Sequence, residues 1–344
     1  MIGICGHFGF NSNIIDGQIV KTKNLHKELT KLYGNVDVKT LDTNGWRNSP
    51  FKMLRNILEL SKDCCHIIIL PASNGIKVFA PLFALFRGLY NFKLHYMVIG
   101  GWLPELLSKK LWLLKALKRF DGIYVETNSM KQKLNALGLH NIYIVPNFKD
   151  LNILPENEFV YITQPPYKFC TFSRVVKEKG IEDAIIAIKA INEEHDVSIC
   201  HLDIYGQIDP NYMDEFEKII ENAPNYINYK GEVPFDKSVE VLKNYYALLF
   251  PTYYPGEGFA GTILDAFASG IPVIASDWRY NAEIIKDGET GFIFDTHSID
   301  ELKQDIFKVL KNKEKYKEMK VNCVDQARAF LPENALKIFV EKLN

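Results

Sequence analysis

Two loops in the second half of the chain hold residues suited to phosphate and sugar chemistry. In Phe172-Ser173-Arg174-Val175-Val176-Lys177-Glu178-Lys179-Gly180, Arg174 and Lys179 stand five apart, after a strand-like run and before a helix opening at Gly180. A guanidinium can clamp phosphate oxygens in a fork and an ammonium adds a point charge, so two cations beside a helix N-terminus suit a diphosphate. Taken alone, the segment also reads as a solvated Lys/Glu stretch. The other loop is Phe250-Pro251-Thr252-Tyr253-Tyr254-Pro255-Gly256-Glu257-Gly258-Phe259-Ala260-Gly261-Thr262, where a strand ends and a helix starts near Gly261. The Glu257 carboxylate can accept hydrogen bonds from a polyhydroxylated ligand, and small residues leave the first N–H groups of the helix open to an anion. Asp265 follows eight residues after Glu257, about two turns on, which predicts a related face of the same helix. The plainer reading is a strand–helix turn with a chance glutamate and an ordinary helix aspartate. Gly270-Ile271-Pro272 and Asp287-Gly288-Glu289-Thr290-Gly291 read as helix-stop and turn chemistry.

Short apolar runs alternating with helical stretches must position these loops. The pattern predicts strands over 2–5, 36–41, 66–70, 95–99, 122–126 and 142–145 in the first half. In the second half it predicts them over 168–173, 198–205, 227–230, 247–251, 272–275 and 291–294. Helices are expected between them, one over 104–120 among them. Strands too continuously apolar for a one-faced sheet, alternating with helices, argue for parallel sheets covered on both faces. The expected fold is α/β, with two doubly wound parallel-sheet domains. Domain boundaries fall at 1–150 and 151–325, and a last helical stretch covers about 326–344. Ligands of such sheets bind beyond the carboxyl ends of the strands, where both loops lie.

The 344 residues are 47 % hydrophobic and 24 % charged, with 22 Phe, 17 Tyr and 4 Trp, which excludes disorder and fibrous repeats and suffices for two cores. No apolar run approaches the roughly 20 residues needed to span a bilayer. The start shows no secretory signal pattern. Six cysteines without paired spacing read as reduced thiols of a cytoplasmic protein. The net charge of −1 conceals an asymmetry: residues 1–150 hold 20 Lys/Arg and 10 Asp/Glu, while the remainder holds 21 and 32. Within 104–120, Lys109, Lys110, Lys115, Lys118 and Arg119 stand among leucines and Trp112. That composition suits an anionic membrane surface, while the plainer reading, somewhat favoured, is a core-facing helix with a solvated side. No nucleic-acid module or interleaved aromatic platform accompanies the charge, so nucleic acid is not expected.

The Glu257 segment resembles the Glu-x7-Glu signature of retaining GT-B glycosyltransferases of family 4 (glycosyl transferases group 1). Ser173-Arg174 with Lys179-Gly180 is similar to that family's phosphate-binding pair. Leu202-Asp203-Ile204-Tyr205-Gly206, Gly231-Glu232-Val233-Pro234 and Asp287–Gly291 fall in the family's order and approximate spacing. The resemblance is specific over 168–295 and compatible over 1–150. It implies a GT-B fold, two Rossmann-like domains facing a central cleft, with residues 326–344 returning to complete the acceptor-side first domain.

By that resemblance Arg174 and Lys179 neutralise the diphosphate and Glu257 contacts the donor sugar. Ser173, Gly206, Val233, Phe259, Ala260, Gly261 and Thr262 line the donor, and Asp265 stands where the family has a second glutamate for the ribose. The shorter Asp265 side chain makes that contact longer or water-bridged. Asp16-Gly17-Gln18 matches the family's glycine loop, and Gly17 permits close approach to the donor phosphate. Gly100-Gly101-Trp102 occupies the place where many relatives carry a histidine, so Gly101 and Trp102 fall on the acceptor side. His7, in the first strand–helix loop, could approach the acceptor or serve as a local hydrogen-bond partner. The implied reaction moves a hexose from a nucleotide-diphosphate sugar, with UDP-sugars favoured, to a saccharide or lipid-linked saccharide. It needs no cofactor, and no His/Asp cluster implies a metal. The implied location is the cytoplasm or the inner face of the plasma membrane. A non-catalytic GT-B-like partner of an active transferase is the second reading, and a sugar-phosphate epimerase of the same fold the third.

Overall fold

The computed structural model describes residues 1–9, 17–195 and 198–344. Every expected strand forms, shifted by at most two residues. In the first half these are β1 Ile2–Gly6, β2 Val38–Asp42, β3 His66–Ile69, β4 Lys93–Met97, β5 Gly122–Val125 and β6 Ile142–Ile144. In the second half they are β7 Tyr167–Phe172, β8 Cys200–Tyr205, β9 Ile227–Gly231, β10 Ala247–Phe250, β11 Val273–Ser276 and β12 Gly291–Phe294. They make two parallel six-stranded sheets, ordered β2-β1-β3-β4-β5-β6 and β12-β11-β10-β7-β8-β9. β1, β10 and β11 are buried along their whole length, as parallel sheets covered on both faces require.

The second sheet explains why its two chemical loops meet. From β7 the chain winds outward through β8 and β9, then crosses to the opposite side of β7 and continues through β10, β11 and β12. The winding reverses between β7 and β10, and at such a switch point the two following loops diverge and leave room for a ligand. Arg174 and Lys179 follow β7, and Glu257 follows β10.

The chain divides into two units, residues 1–150 with 331–344, and residues 151–330. In the first unit Ala335, Leu336, Phe339 and Leu343 join a core with Ile4, Phe8, Tyr124 and Phe148. The Phe339 ring meets Tyr124 edge-on at 4.8 Å. The return begins at Leu331 and not near 326. The helix Lys313–Arg328 keeps Cys323, Val324 and Ala327 buried in the second unit, whose core gathers Phe169, Ile188, Leu202, Leu249 and Phe294.

One helical expectation is corrected. Residues 104–120 form two helices, Leu103–Lys109 and Leu111–Leu117, broken at Lys110. Leu103, Leu107, Leu114 and Leu117 are all buried, and one continuous helix facing them inward would turn Lys110 inward as well. The break leaves Lys110 exposed together with Lys109, Lys115, Lys118, Arg119, Leu111 and Trp112. The helix Ile76–Phe86 fills an interval between strands where a helix is expected, but no period marks its bounds, since it is apolar nearly all round and carries Pro81 inside. No helix of the described residues is long and apolar enough to cross a membrane.

Candidate functional site

The sharp turn after β7 is built on glycine. Gly180 adopts φ +67° and caps the helix Ile181–Glu194, and a Cβ there would lie 2.0 Å from the carbonyl oxygen of Pro251 in the neighbouring loop. Gly206, after β8, has φ +135°, and a Cβ would lie 1.7 Å from the Ser173 carbonyl oxygen. These glycines let three loops at the carboxyl edge of the sheet approach backbone to backbone. Further bonds stitch them together: Tyr253 N–H donates to Glu178 O at 2.8 Å, Val175 N–H to Gln207 O at 2.8 Å, and Gly206 N–H to Gly231 O at 2.9 Å.

Within this edge Lys179 and Glu257 form a direct ion pair, Nζ to Oε2 at 2.6 Å, with side chains only 10 % and 8 % exposed. The same carboxylate oxygen accepts from Thr252 Oγ1 at 2.9 Å, and Thr252 is fully buried. The Lys179 ammonium also stands 5.2 Å from the Phe250 ring centre and 5.4 Å from that of Tyr254. Arg174 is exposed, with its guanidinium carbon 5.6 Å from the Tyr254 ring centre. Arg174, Lys179 and Glu257 thus gather around Tyr254. A cation is left toward solvent, while a second cation and a carboxylate neutralise each other beneath it. Lys179, expected only against phosphate, is held by Glu257.

The helix opens at Gly261, where the sequence places its start, and Glu257 stands in the turn before it, with its N–H on Tyr254 O at 3.0 Å. Asp265 is nearly buried in the second turn of Gly261–Ala268. Residues 257–260 precede the helix, so helical spacing does not apply across them. At the helix start a Cβ on Gly261 would meet no atom within 4 Å, and Ala260 holds the N-cap without a side-chain bond. Thr262 Oγ1 is buried without a hydrogen-bond partner. Phe259 turns its ring away, edge-on to Phe330 at 5.0 Å. Ser173 Oγ donates to Arg174 O at 3.2 Å, and Val233 lies half-buried after β9.

Among the first-unit candidates, Gly17 begins the helix Gly17–Tyr33, a Cβ on it would meet nothing within 4 Å, and the next residue donates from Gln18 Nε2 to Leu70 O at 3.1 Å. Asp16 lies outside the described residues. His7 Nε2 is buried without a partner, Gly101 is buried and Trp102 half-buried. A buried ion pair that sequence reasoning missed, Lys21 Nζ to Glu126 Oε1 at 2.5 Å, ties this helix to the end of β5. The turn after β11 was missed too. There Trp278 Nε1 donates to Tyr254 O at 2.7 Å and Arg279 Nη2 to Pro255 O at 3.0 Å. Its place at the carboxyl edge of the sheet is the signal that could have found it. Among the described residues no group of three or more His, Cys, Asp or Glu could hold a metal ion.

Residues 156–326, most of the second unit, match the family described as glycosyl transferases group 1. An uncharacterized glycosyltransferase of Methanocaldococcus jannaschii is 26 % identical over 171 residues, 48 % of this chain and 41 % of its own. The GtfA subunit of a UDP-N-acetylglucosamine–peptide N-acetylglucosaminyltransferase from Streptococcus gordonii is 28 % identical over 185 residues, 52 % of this chain and 35 % of its own. The chain spans less than half the length of these curated relatives. Among solved structures, HepE from Anabaena in complex with UDP superposes over 99 % of both chains with a TM-score of 0.76 at 15 % identity. Sucrose-phosphate synthase from Thermosynechococcus elongatus covers 99 % of this chain and 98 % of its own, with a TM-score of 0.73 at 16 % identity. The fold is GT-B.

Proposed function

We propose that the protein is a retaining hexosyltransferase that moves a sugar from a nucleotide-diphosphate donor, a UDP-sugar foremost, to a saccharide or lipid-linked saccharide acceptor. The observation that carries this reading is the Lys179–Glu257 pair beneath the exposed Arg174, at the point where the winding of the sheet reverses. A diphosphate meets Arg174 and the N-terminal amides of the helix at Gly261, while Glu257 accepts hydrogen bonds from the sugar hydroxyls. As the anomeric C–O bond to phosphate breaks, Arg174 and Lys179 stabilise the growing negative charge, a contribution of several kcal/mol in comparable sites. The acceptor oxygen bonds to the anomeric carbon on the same face, and its proton passes to the departing phosphate oxygen. Asp265 is assigned to the ribose, and Gly17, His7, Gly101 and Trp102 to the first-unit side of the reaction. No metal or other cofactor is required.

UDP in the HepE complex and UDP with GlcNAc in the pneumococcal GtfA complex support a uridine donor. A role in cell-surface glycan synthesis is supported by relatives named as a poly(glycerol-phosphate) alpha-glucosyltransferase of Bacillus subtilis and a capsular polysaccharide glycosyltransferase of Staphylococcus aureus. The exposed Lys109, Lys110, Lys115, Lys118 and Arg119 beside Leu111 and Trp112 fit an anionic membrane surface, and we place the protein at the inner face of the plasma membrane. The test is proton NMR of the anomeric signals during turnover with a panel of UDP-hexoses and saccharide acceptors. A product with the donor's anomeric configuration supports the reading. An inverted product overturns retention, and an isomerised nucleotide sugar formed without acceptor favours an epimerase.

A further inference from the structure

The turn after β11 plays no part in the reaction just described, yet the loop that carries Glu257 hangs from it. Ser276 Oγ donates to Thr252 O at 2.5 Å, Trp278 Nε1 to Tyr254 O at 2.7 Å, and Arg279 Nη2 to Pro255 O at 3.0 Å. Tyr254 O also receives the Glu257 N–H at 3.0 Å, so one carbonyl oxygen joins the Trp278 indole to the backbone of the glutamate. On the far side the same loop is held by Glu178 O, which receives Tyr253 N–H at 2.8 Å. The turn is itself anchored: Asn281 donates its N–H to Trp278 O at 3.1 Å and its Nδ2 to Ser276 O at 3.1 Å.

Arg279 holds this geometry against its own backbone preference. Its φ is +55°, in the left-handed region that glycine enters freely and residues with a Cβ rarely do. A glycine would serve the turn with less strain but would bring no donor to Pro255 O. Strain of this kind persists where surrounding contacts over-determine it, and such places cluster at functional sites. The Trp278 ring sits against the guanidinium, 5.7 Å from centre to Arg279 Cζ, which fixes the two side chains relative to each other.

We propose that Trp278 and Arg279 are positioning residues that set Glu257 for the sugar half of the donor. The role rests on the nucleotide-sugar reading above and makes these two side chains determinants of hexose recognition. The nucleotide half, met by Arg174, the helix start at Gly261 and Asp265, lies outside the Thr252–Pro255 carbonyls that these bonds hold and does not depend on them.

The test compares wild type with Trp278→Phe, which keeps a ring and loses the N–H, and with Arg279→Gly, which accepts the left-handed backbone and loses the donor. Arg279→Lys serves as the partial rescue. Calorimetry measures UDP against UDP-glucose and UDP-GlcNAc, while amide hydrogen exchange follows residues 252–258 without ligand. UDP affinity should hold within about twofold, and affinity for the best UDP-sugar should fall about tenfold, the effect of one or two misplaced hydrogen bonds. Exchange over 252–258 should quicken, while Arg279→Gly melts no lower than wild type because its turn is relaxed. Unchanged exchange overturns the proposal, as does faster exchange with an unchanged ratio of sugar-nucleotide to UDP affinity, which would leave the turn merely structural. Wild-type protein that binds neither UDP nor UDP-sugar overturns the donor reading and the recognition role together, and the exchange data still decide whether the turn holds the loop.

Discussion

The Lys179 ammonium and the Glu257 carboxylate touch at 2.6 Å although 78 residues separate them in the chain. The contact exists because the strands before them, β7 and β10, are neighbours across the reversal of the sheet, and because Gly180 lets the two loops pass at backbone distance. Each group compensates the other's burial, so neither is idle before a ligand arrives.

Breaking that pair should therefore cost stability as well as activity. Glu257→Ala leaves a nearly buried ammonium uncompensated and is expected to destabilise the protein by about 3 kcal/mol, while Glu257→Gln keeps a hydrogen-bond acceptor and costs less. Both should abolish transfer. Denaturant unfolding of the two variants checks the order, and a full loss of activity with no change in either midpoint would contradict the ion-pair geometry.

Glycine substitutions separate architecture from ligand approach. Gly180→Ala and Gly206→Ala place a Cβ on Pro251 O and Ser173 O in a left-handed backbone and should cost about 2 kcal/mol or more each. Gly261→Ala meets no atom within 4 Å and should leave the melting temperature unchanged, yet raise KM for the donor. Thermal melts paired with donor titrations read both effects. A destabilised Gly261→Ala variant would show that the helix start is not open as described.

Lys320 supplies a pH-dependent prediction. It is fully buried without a hydrogen-bond partner for Nζ, boxed by the rings of Phe159, Tyr161 and Tyr316 at 5.2, 5.8 and 5.4 Å, and burial pushes its ammonium down to about 8. Between that value and the ordinary lysine value the unfolded chain holds the proton and the folded chain releases it, so stability rises with pH across the window. The penalty is present in full below it. Lys320→Met removes a penalty of about 3 kcal/mol, less the lost ring contacts, and should melt higher than wild type at pH 7. The difference should shrink as pH rises toward 10. A variant that melts lower at pH 7 would contradict this.

Acid acts on the other unit. Burial, followed by the nearby His66, lowers His95 to about 3, and its ring bonds to His66 and to the Tyr124 hydroxyl, both at 3.1 Å. A histidine held neutral in the fold takes up its proton on unfolding, so stability should fall as pH drops from about 6.5 toward 3. Replacing His95 with Asn or Gln should flatten that slope, measured as unfolding free energy against pH.

The strands were legible because parallel strands buried on both faces are continuously apolar, as Ile67-Ile68-Ile69 and Leu248-Leu249-Phe250 show. The meeting of Arg174, Lys179 and Glu257 was legible only through the rule that ligands gather at the carboxyl ends of strands, since spacing cannot reveal a contact across 78 residues. The bounds of the helix Ile76–Phe86 were hidden because a run apolar nearly all round, with an internal proline, shows no periodicity. The break at Lys110 follows from burial of the leucines on either side, a tertiary demand invisible to local pattern. Arg279 gives no sign in sequence of its left-handed backbone, and Lys320 none of its aromatic box, because both depend on what packs around them.

The most direct measurement is a thermal-shift panel of UDP-, GDP-, ADP- and dTDP-sugars on wild type and Arg174→Ala. A ligand at about 100 times its Kd adds roughly 2.7 kcal/mol, enough for a clear rise in Tm. One nucleotide class, UDP foremost, should raise the melting temperature of wild type and fail to do so for Arg174→Ala. A panel with no shift for wild type, or with the same shift in both proteins, would contradict the donor site and leave a non-catalytic GT-B partner as the better account.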